Sequence, residues 1–292
     1  MRKNIGFADT ASATGFNSKS VRIETKLIHE RSGRFSTIYV SEDASGLRTL
    51  RFGANGARQS VIDMHNPRSL VLRYTQAAML ALGLAPRPDR ILVLGLGGGA
   101  IPMFLRHVLP TAQIDAVDID HAVIDVAKRF LNFREDRKMH AYALDGGRFI
   151  ALSRQSYDLI ILDAFGLSEV PKHLTTAEFL NAVRSITTPS GLVVANLWGP
   201  ALNPHFNAML TTYLGVFPCV YQLKIAQVEN RMVFAFPQSQ SLTVSHLQRQ
   251  LRRISSQLQL PFDLTALLDG GFDRLDQSMQ DASIRRTFSP LK

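Results

Sequence analysis

The sequence predicts an α/β fold: a doubly wound, largely parallel sheet preceded by a small antiparallel β unit. Three observations carry this prediction. Apolar strand-like runs alternate with amphipathic helical stretches from about residue 90 to residue 200, which calls for parallel order with right-handed crossovers. The first of those runs delivers a glycine-rich turn, ILVLGLGGGA at 91–100. Upstream, residues 20–62 show period-2 alternation with no helical stretch between the runs.

Residues 1–19, at the start of the chain, are rich in Ser, Thr, Asn and Gly and read as a mobile tail. VRIETKLIHE, STIYVSED and LRTLRFG, separated by Gly33 and by Ala44-Ser45-Gly46, predict a β subdomain over 20–65. SLVLRYTQAAMLALGL predicts one helix ending near Gly83, and Pro86 and Pro88 mark the entry into the first core strand. The ligand-binding domain is placed at 66–240. CVYQLKI and NRMVFAF, about four residues apart, predict an antiparallel hairpin at the sheet edge. SHLQRQLRRISSQLQL predicts an amphipathic helix with Leu247, Leu251, Ile254 and Leu258 on one face, and 241–292 is read as a helical extension. No internal repeat is present.

Chemistry concentrates at four strand ends. Gly95, Gly97 and Gly99 form a turn without Cβ atoms, which lets backbone approach a ligand closely. IDAVDID then ends a second run on Asp118, placed where a carboxylate accepts hydrogen bonds from both hydroxyls of a ribose. The glycine spacing fits both G-x-G-x-x-A of dinucleotide sites and G-x-G-x-G of S-adenosylmethionine (AdoMet) enzymes, so the glycines alone do not choose. Two segments downstream favour AdoMet: MHAYALDGGRFI brings Asp145 and Gly146 to where an acid meets an adenine amino group, and YDLIILDAF ends on Asp163. Ligands of open α/β sheets sit at strand carboxyl ends, so all four positions converge on one crevice. The fold class is that of the class I AdoMet-dependent, Rossmann-like sheets.

Composition bounds the partners. A chain of 292 residues with 46% hydrophobic content buries a sizeable core. Its one cysteine, Cys219, excludes an internal disulfide and a Cys-based zinc cage, and reads as a buried strand residue. No histidine pairs with acids at metal-ligand spacing, so no metal is expected. No apolar run nears the ~20 residues that span a bilayer and the N-terminus has no signal-peptide core, so a soluble, cytoplasmic protein without membrane contact is expected. The net charge of +9 opposes a polycationic substrate at long range. Arg249, Arg252 and Arg253 on the 245–260 helix read as a solvated face, with nucleic acid the minor alternative.

The blocks VLGLGGGAIPMFLRHVLPTAQIDAVDIDHAVIDVAKRF, LDGGRF, YDLIILDAF and VPKHLTTAEFLNAVRSITTPSGLVVANL together resemble the spermidine synthase (polyamine aminopropyltransferase) family over roughly residues 35–235. ARQSVID with Gln59 and LVLRYTQAAML with Tyr74 are similar to the segment that closes over the active site in that family. The resemblance implies a homodimer and AdoMet or decarboxylated AdoMet as co-substrate. It also implies Asp118 on ribose, Asp145 on adenine and Asp163 beside the reacting sulfonium. By the same resemblance, Gln59 and Tyr74 sit where the related enzymes touch cofactor and acceptor, and His173 in VPKHLTT is a candidate acceptor contact. The departures matter too. The family's second acid, the base on the attacking amine, falls at Gly166, and the acid usual in the glycine loop is absent. Glu169, in the same loop, is the candidate for a displaced base. The expectation is therefore a transferase that moves an alkyl group from an adenosyl sulfonium to a small-molecule acceptor, an amine being one class. The alternatives are true aminopropyl transfer to putrescine, a small-molecule methyltransferase, and an adenosyl-ligand binding protein without turnover.

Overall fold

The computed structural model describes residues 25–85, 87–165 and 170–276; the expected tail at 1–19 lies outside them. Four strands open the described chain: β1 (Thr25–Ser32), β2 (Thr37–Asp43), β3 (Leu47–Phe52) and β4 (Arg58–Asp63). They pair antiparallel in sequence order as a sheet of their own. One face is apolar: Ile38, Val40, Leu50 and Ile62 are buried in the same core as the larger sheet.

Where one helix is expected up to Gly83, the structure has two short ones, α1 (Arg73–Ala78) and α2 (Ala81–Leu84). The break at Met79 and Leu80 is spanned by tight bonds from Met79 N to the Gln76 carbonyl and from Leu80 N to that of Ala77. Ala77 through Ala81 are completely buried, so the chain bends to follow the core surface instead of the helix axis. Gly83 sits where an added Cβ would lie 2.6 Å from Leu251.

The second sheet has eight strands. In chain order come β5 (Arg90–Leu94), α3 (Ala100–Val108), β6 (Gln113–Asp118), α4 (His121–Phe130), β7 (Met139–Ala143), α5 (Gly146–Leu152), β8 (Tyr157–Leu162), α6 (Ala177–Ser185) and β9 (Thr187–Trp198). Then follow α7 (Phe206–Val216), β10 (Cys219–Lys224), β11 (Asn230–Phe236), α8 (Val244–Leu258) and β12 (Phe272–Leu275). The spatial order is β12-β10-β11-β9-β8-β5-β6-β7. The five strands from β9 to β7 are parallel, and β11, β10 and β12 run antiparallel beyond them, including the expected hairpin.

Both faces of the parallel strands are covered, which their near-continuous apolar sequence requires. In β5, Ile91 and Val93 point into a core closed by Phe104, Val123 and Leu247 from α3, α4 and α8. Leu92 and Leu94 point into the other core, closed by Ile150, Leu180 and Tyr213 from α5, α6 and α7. Helix starts are set locally: Asp120 caps α4 through Ala122 N, and Asp145 caps α5 through Arg148 N. Thr176 caps α6 by accepting from Phe179 N. Within 241–276, α8 and a 3-10 turn at Thr265–Gly270 are helical. Phe272–Leu275 instead pairs with β10, because Phe272 stacks on Tyr221 (5.0 Å between ring centres) and covers an otherwise bare sheet edge.

Candidate active site

The strand carboxyl ends open into one cleft of about 1410 Å³. Gln59, Tyr74, Gly95, Gly97, Asp118, Asp145, Gly146, Asp163 and His173 all line it. Two expected residues are exceptions. Gly99 lies behind the turn as the residue before α3, where a Cβ would meet the Phe133 ring at 2.6 Å. Glu169, with Gly166, lies outside the described residues.

The glycine turn is forced by close approach as well as by backbone conformation. Gly95 and Gly97 have φ of 96° and 51°, a region that side chains disfavour. A Cβ on Gly95 would collide with the Asp163 carbonyl, and one on Gly97 would lie 2.7 Å from Ser60 Oγ. Ser60 accepts the Gly98 N–H at 2.7 Å, so β4 of the small sheet holds the turn from outside.

Three carboxylates differ in environment. Asp118 accepts from Leu96 N (3.2 Å), Gly97 N (3.3 Å) and Asp120 N (3.0 Å). Desolvation at the cleft wall outweighs those bonds and raises its pKa to about 6. Asp145 is also pushed up by burial, but Arg148 N, His173 and Gly147 N together hold it below its ordinary value. His173 Nε2 lies 2.8 Å from Asp145 Oδ2, and because an ionised carboxylate only accepts, the ring nitrogen donates. The histidine thus orients Asp145.

Asp163 is the centre of a polar chain drawn from four elements. Asn196 Nδ2 of β9 donates to Oδ1 at 2.9 Å, and Asn230 Nδ2 of β11 donates in turn to Asn196 Oδ1 at 2.8 Å. The Tyr74 hydroxyl from α1 lies 3.3 Å from Asp163 Oδ2 and also 3.3 Å from the Gln59 carbonyl. Burial lifts the Asp163 pKa to about 7 in spite of these donors, and it lifts the Tyr74 phenol well above its usual range. Asp163 therefore sits at the balance point of a proton acceptor near neutrality.

Asn196 and Asn230 escape sequence reading. The available signal was a lone amide in the buried run GLVVANL, 4% exposed in the structure. Phe35 also escapes it. The β1–β2 turn is tied to the loop after β6 by Arg34 N donating to Asp120 Oδ2 at 2.6 Å, and Phe35, 58% exposed, borders the cleft there. Trp198 stacks with Phe165 (5.7 Å) as part of the cleft wall, and Cys219 is buried in β10.

An α/β sheet of this order, with a glycine turn and acids at successive strand ends, defines a transferase of the methyltransferase fold. Residues 74–229 match the spermine/spermidine synthase domain, and the chain belongs to that family. It is 32% identical over 246 residues to a polyamine aminopropyltransferase of Vibrio vulnificus (strain CMCP6), covering 82% of this chain and 81% of that protein. It is also 33% identical over 159 residues, half of this chain and 23% of the relative, to the eEF1A lysine and N-terminal methyltransferase of Homo sapiens. Among solved structures, human methyltransferase-like protein 13 in complex with SAH superposes with a TM-score of 0.60 at 28% identity, over 65% of this chain and 94% of that one. No helix among the described residues is long and apolar enough to cross a membrane.

Proposed function

We propose that the chain is an alkyltransferase whose electrophile is an adenosyl sulfonium, AdoMet or its decarboxylated form, bound across the turn at Gly95 and Gly97. The observation that carries this is the convergence of that turn with Asp118, Asp145 and Asp163 on one cleft. The residues fit the group. Asp118 has both oxygens anchored by backbone N–H groups and lines the cleft, so its carboxylate is suited to accept from ribose hydroxyls. Asp145, held ionised by the start of α5 and by His173, is suited to the adenine amino group. The family and the SAH complex of a 28% identical neighbour support the same reading.

A bound sulfonium supplies a carbon activated for displacement by a thioether leaving group. The chain's own part is to hold an acceptor lone pair in line, exclude water and take up a proton; positioning alone contributes ~7–11 kcal/mol. Asp163 is the described residue for the proton, received on a carboxylate that Asn196 and Tyr74 hold in place. With Gly166 at the usual base position, putrescine is the weaker acceptor candidate, and an acceptor that Asp163 alone can deprotonate is favoured. Aminopropyl transfer to putrescine remains the second reading, on the strength of the 32% identical aminopropyltransferase.

Calorimetric titration with methylthioadenosine tests the nucleoside assignment. Binding is expected, and Asp118→Ala should weaken it by roughly 1.5–3 kcal/mol. Unchanged affinity in the variant, or tight NADH binding by the parent, refutes it. Robust spermidine formation from decarboxylated AdoMet and putrescine at neutral pH would establish the second reading instead.

A further inference from the structure

At the reacting end of the cleft, the oxygens that would receive an ammonium group already carry donors. Asn196 and Tyr74 donate to Asp163, Asn230 occupies the Asn196 carbonyl oxygen, and Glu229 lies 3.9 Å from the Arg231 guanidinium. Unspent donors, by contrast, are plentiful. Arg58 on β4 and Arg73 at the start of α1 line this cleft, are exposed, and have no hydrogen-bond or ion-pair partner among the described residues. Arg231 lines it as well, with one nitrogen on the Val228 and Asn230 carbonyls. Arg73 directly precedes Tyr74, whose hydroxyl reaches Asp163, so its backbone is anchored next to the reacting position.

Among the described residues, the guanidiniums of Arg58, Arg73 and Arg231 thus line the cleft with Glu229 and with Asp163, which is about half-protonated near neutral pH, while Asp118, Asp120 and Asp145 stand on the same wall. A dication such as a protonated diamine meets these guanidiniums and shares the Asp163 oxygens with Asn196 and Tyr74. A carboxylate meets planar forks of N–H donors, the geometry guanidinium binds best.

We infer that the reacting end of the cleft takes a ligand carboxylate on Arg73 and Arg58, so that the adenosyl donor or the acceptor set against it is a carboxylate-bearing molecule, not a simple diamine. This rests on the adenosyl-transfer reading above. If the carboxylate belongs to the donor, the co-substrate is AdoMet and the decarboxylated form is disfavoured. If it belongs to the acceptor, the acceptor is an amino acid or a related amine with an acidic group.

The test is calorimetry on the full chain, in two arms, with methylthioadenosine as the reference because it lacks both carboxylate and amine. Failure of methylthioadenosine to bind removes the adenosyl reading and the inference with it. Where it binds, the first arm compares AdoMet with decarboxylated AdoMet. AdoMet tighter by about tenfold or more, with the difference lost in Arg58→Gln/Arg73→Gln while methylthioadenosine affinity stays, assigns the carboxylate to the donor. The second arm saturates the protein with methylthioadenosine and compares 4-aminobutyrate with putrescine. A preference for 4-aminobutyrate that the same double variant loses assigns the carboxylate to the acceptor. If the double variant also loses methylthioadenosine, Arg73→Gln alone takes its place. No carboxylate preference in either arm, or one that survives the substitutions, overturns the inference while leaving the adenosyl reading intact.

Discussion

The two ends of the cleft are built by different means. At the nucleoside end, Asp118 and Asp145 are held by backbone N–H groups of their own or the adjoining loops: Leu96, Gly97 and Asp120 for the first, Arg148 for the second. At the other end, the donors to Asp163 among the described residues are side chains, Asn196 and Tyr74, with Asn230 behind. Backbone donors come with the fold and survive any substitution but proline, whereas side-chain donors can be exchanged singly. On the proposed reading, a nucleoside end held mostly by main chain, with His173 on Asp145, beside a reacting end held by side chains allows chemistry to change while the adenosyl group stays where it is. The chain's similarity both to an aminopropyltransferase (32% identical) and, over half its length, to a methyltransferase (33% identical) accords with that division.

The harshest way to break the comparison is at the turn both ends share. Gly95→Ala adds a methyl against the Asp163 carbonyl at a φ of 96°, and should cost about 3 kcal/mol or more of stability, read as a lowered midpoint in denaturant. A midpoint within about 0.5 kcal/mol of the parent, the size of an ordinary surface change, would mean that the turn relaxes freely.

The carboxylates sharpen the contrast through pH. Asp163, raised to about 7, and Asp118, raised to about 6, each bind a proton in the folded chain that the unfolded chain has already lost. Their folded pKa values lie above the unfolded ones, so stability is greatest below about pH 4 on their account and falls as pH rises towards 7. Asp163→Asn should flatten that fall by on the order of 2–4 kcal/mol between pH 4 and 8, and should abolish transfer while leaving methylthioadenosine bound. Methylthioadenosine affinity, in turn, should strengthen as pH rises through about 6, because ionised Asp118 is the better ribose acceptor. A pH-independent affinity would remove Asp118 from the ribose role.

Smaller effects separate the side-chain relay from the backbone cradle. Asn230→Ala frees the Asn196 carbonyl and leaves that amide able to turn, at a cost of about 1–3 kcal/mol in stability. The pH profile of transfer should shift upward as Asp163 loses a fixed donor, with nucleoside affinity unchanged. His173→Gln should cost least, about 0.5–1 kcal/mol in methylthioadenosine affinity, because Asp145 keeps its Arg148 backbone donor. A larger loss of nucleoside affinity in Asn230→Ala than in His173→Gln would erase the distinction between the two ends.

What the amino-acid sequence determined by itself is everything that depends on neighbours within a few residues. The apolar runs specified β5, β6, β8 and β9 and their covered faces. Leu247, Leu251 and Ile254 specified the buried side of α8, and the glycine and acid positions specified the strand ends that line the cleft. Tertiary structure alone decided the rest. Asp163 meets Asn196 across 33 residues and Tyr74 across 89, and Asn196 meets Asn230 across 34. Arg34 of the small sheet reaches Asp120 across 86, and the strand at 272–275 forms only because β10 offers it an edge. Periodicity records which face of an element is buried, and capping and turn chemistry act within one turn of chain. Neither encodes which polar side chain of one strand will stand opposite another, because that is set by sheet order, register and the bend of α1 into α2 around a shared core.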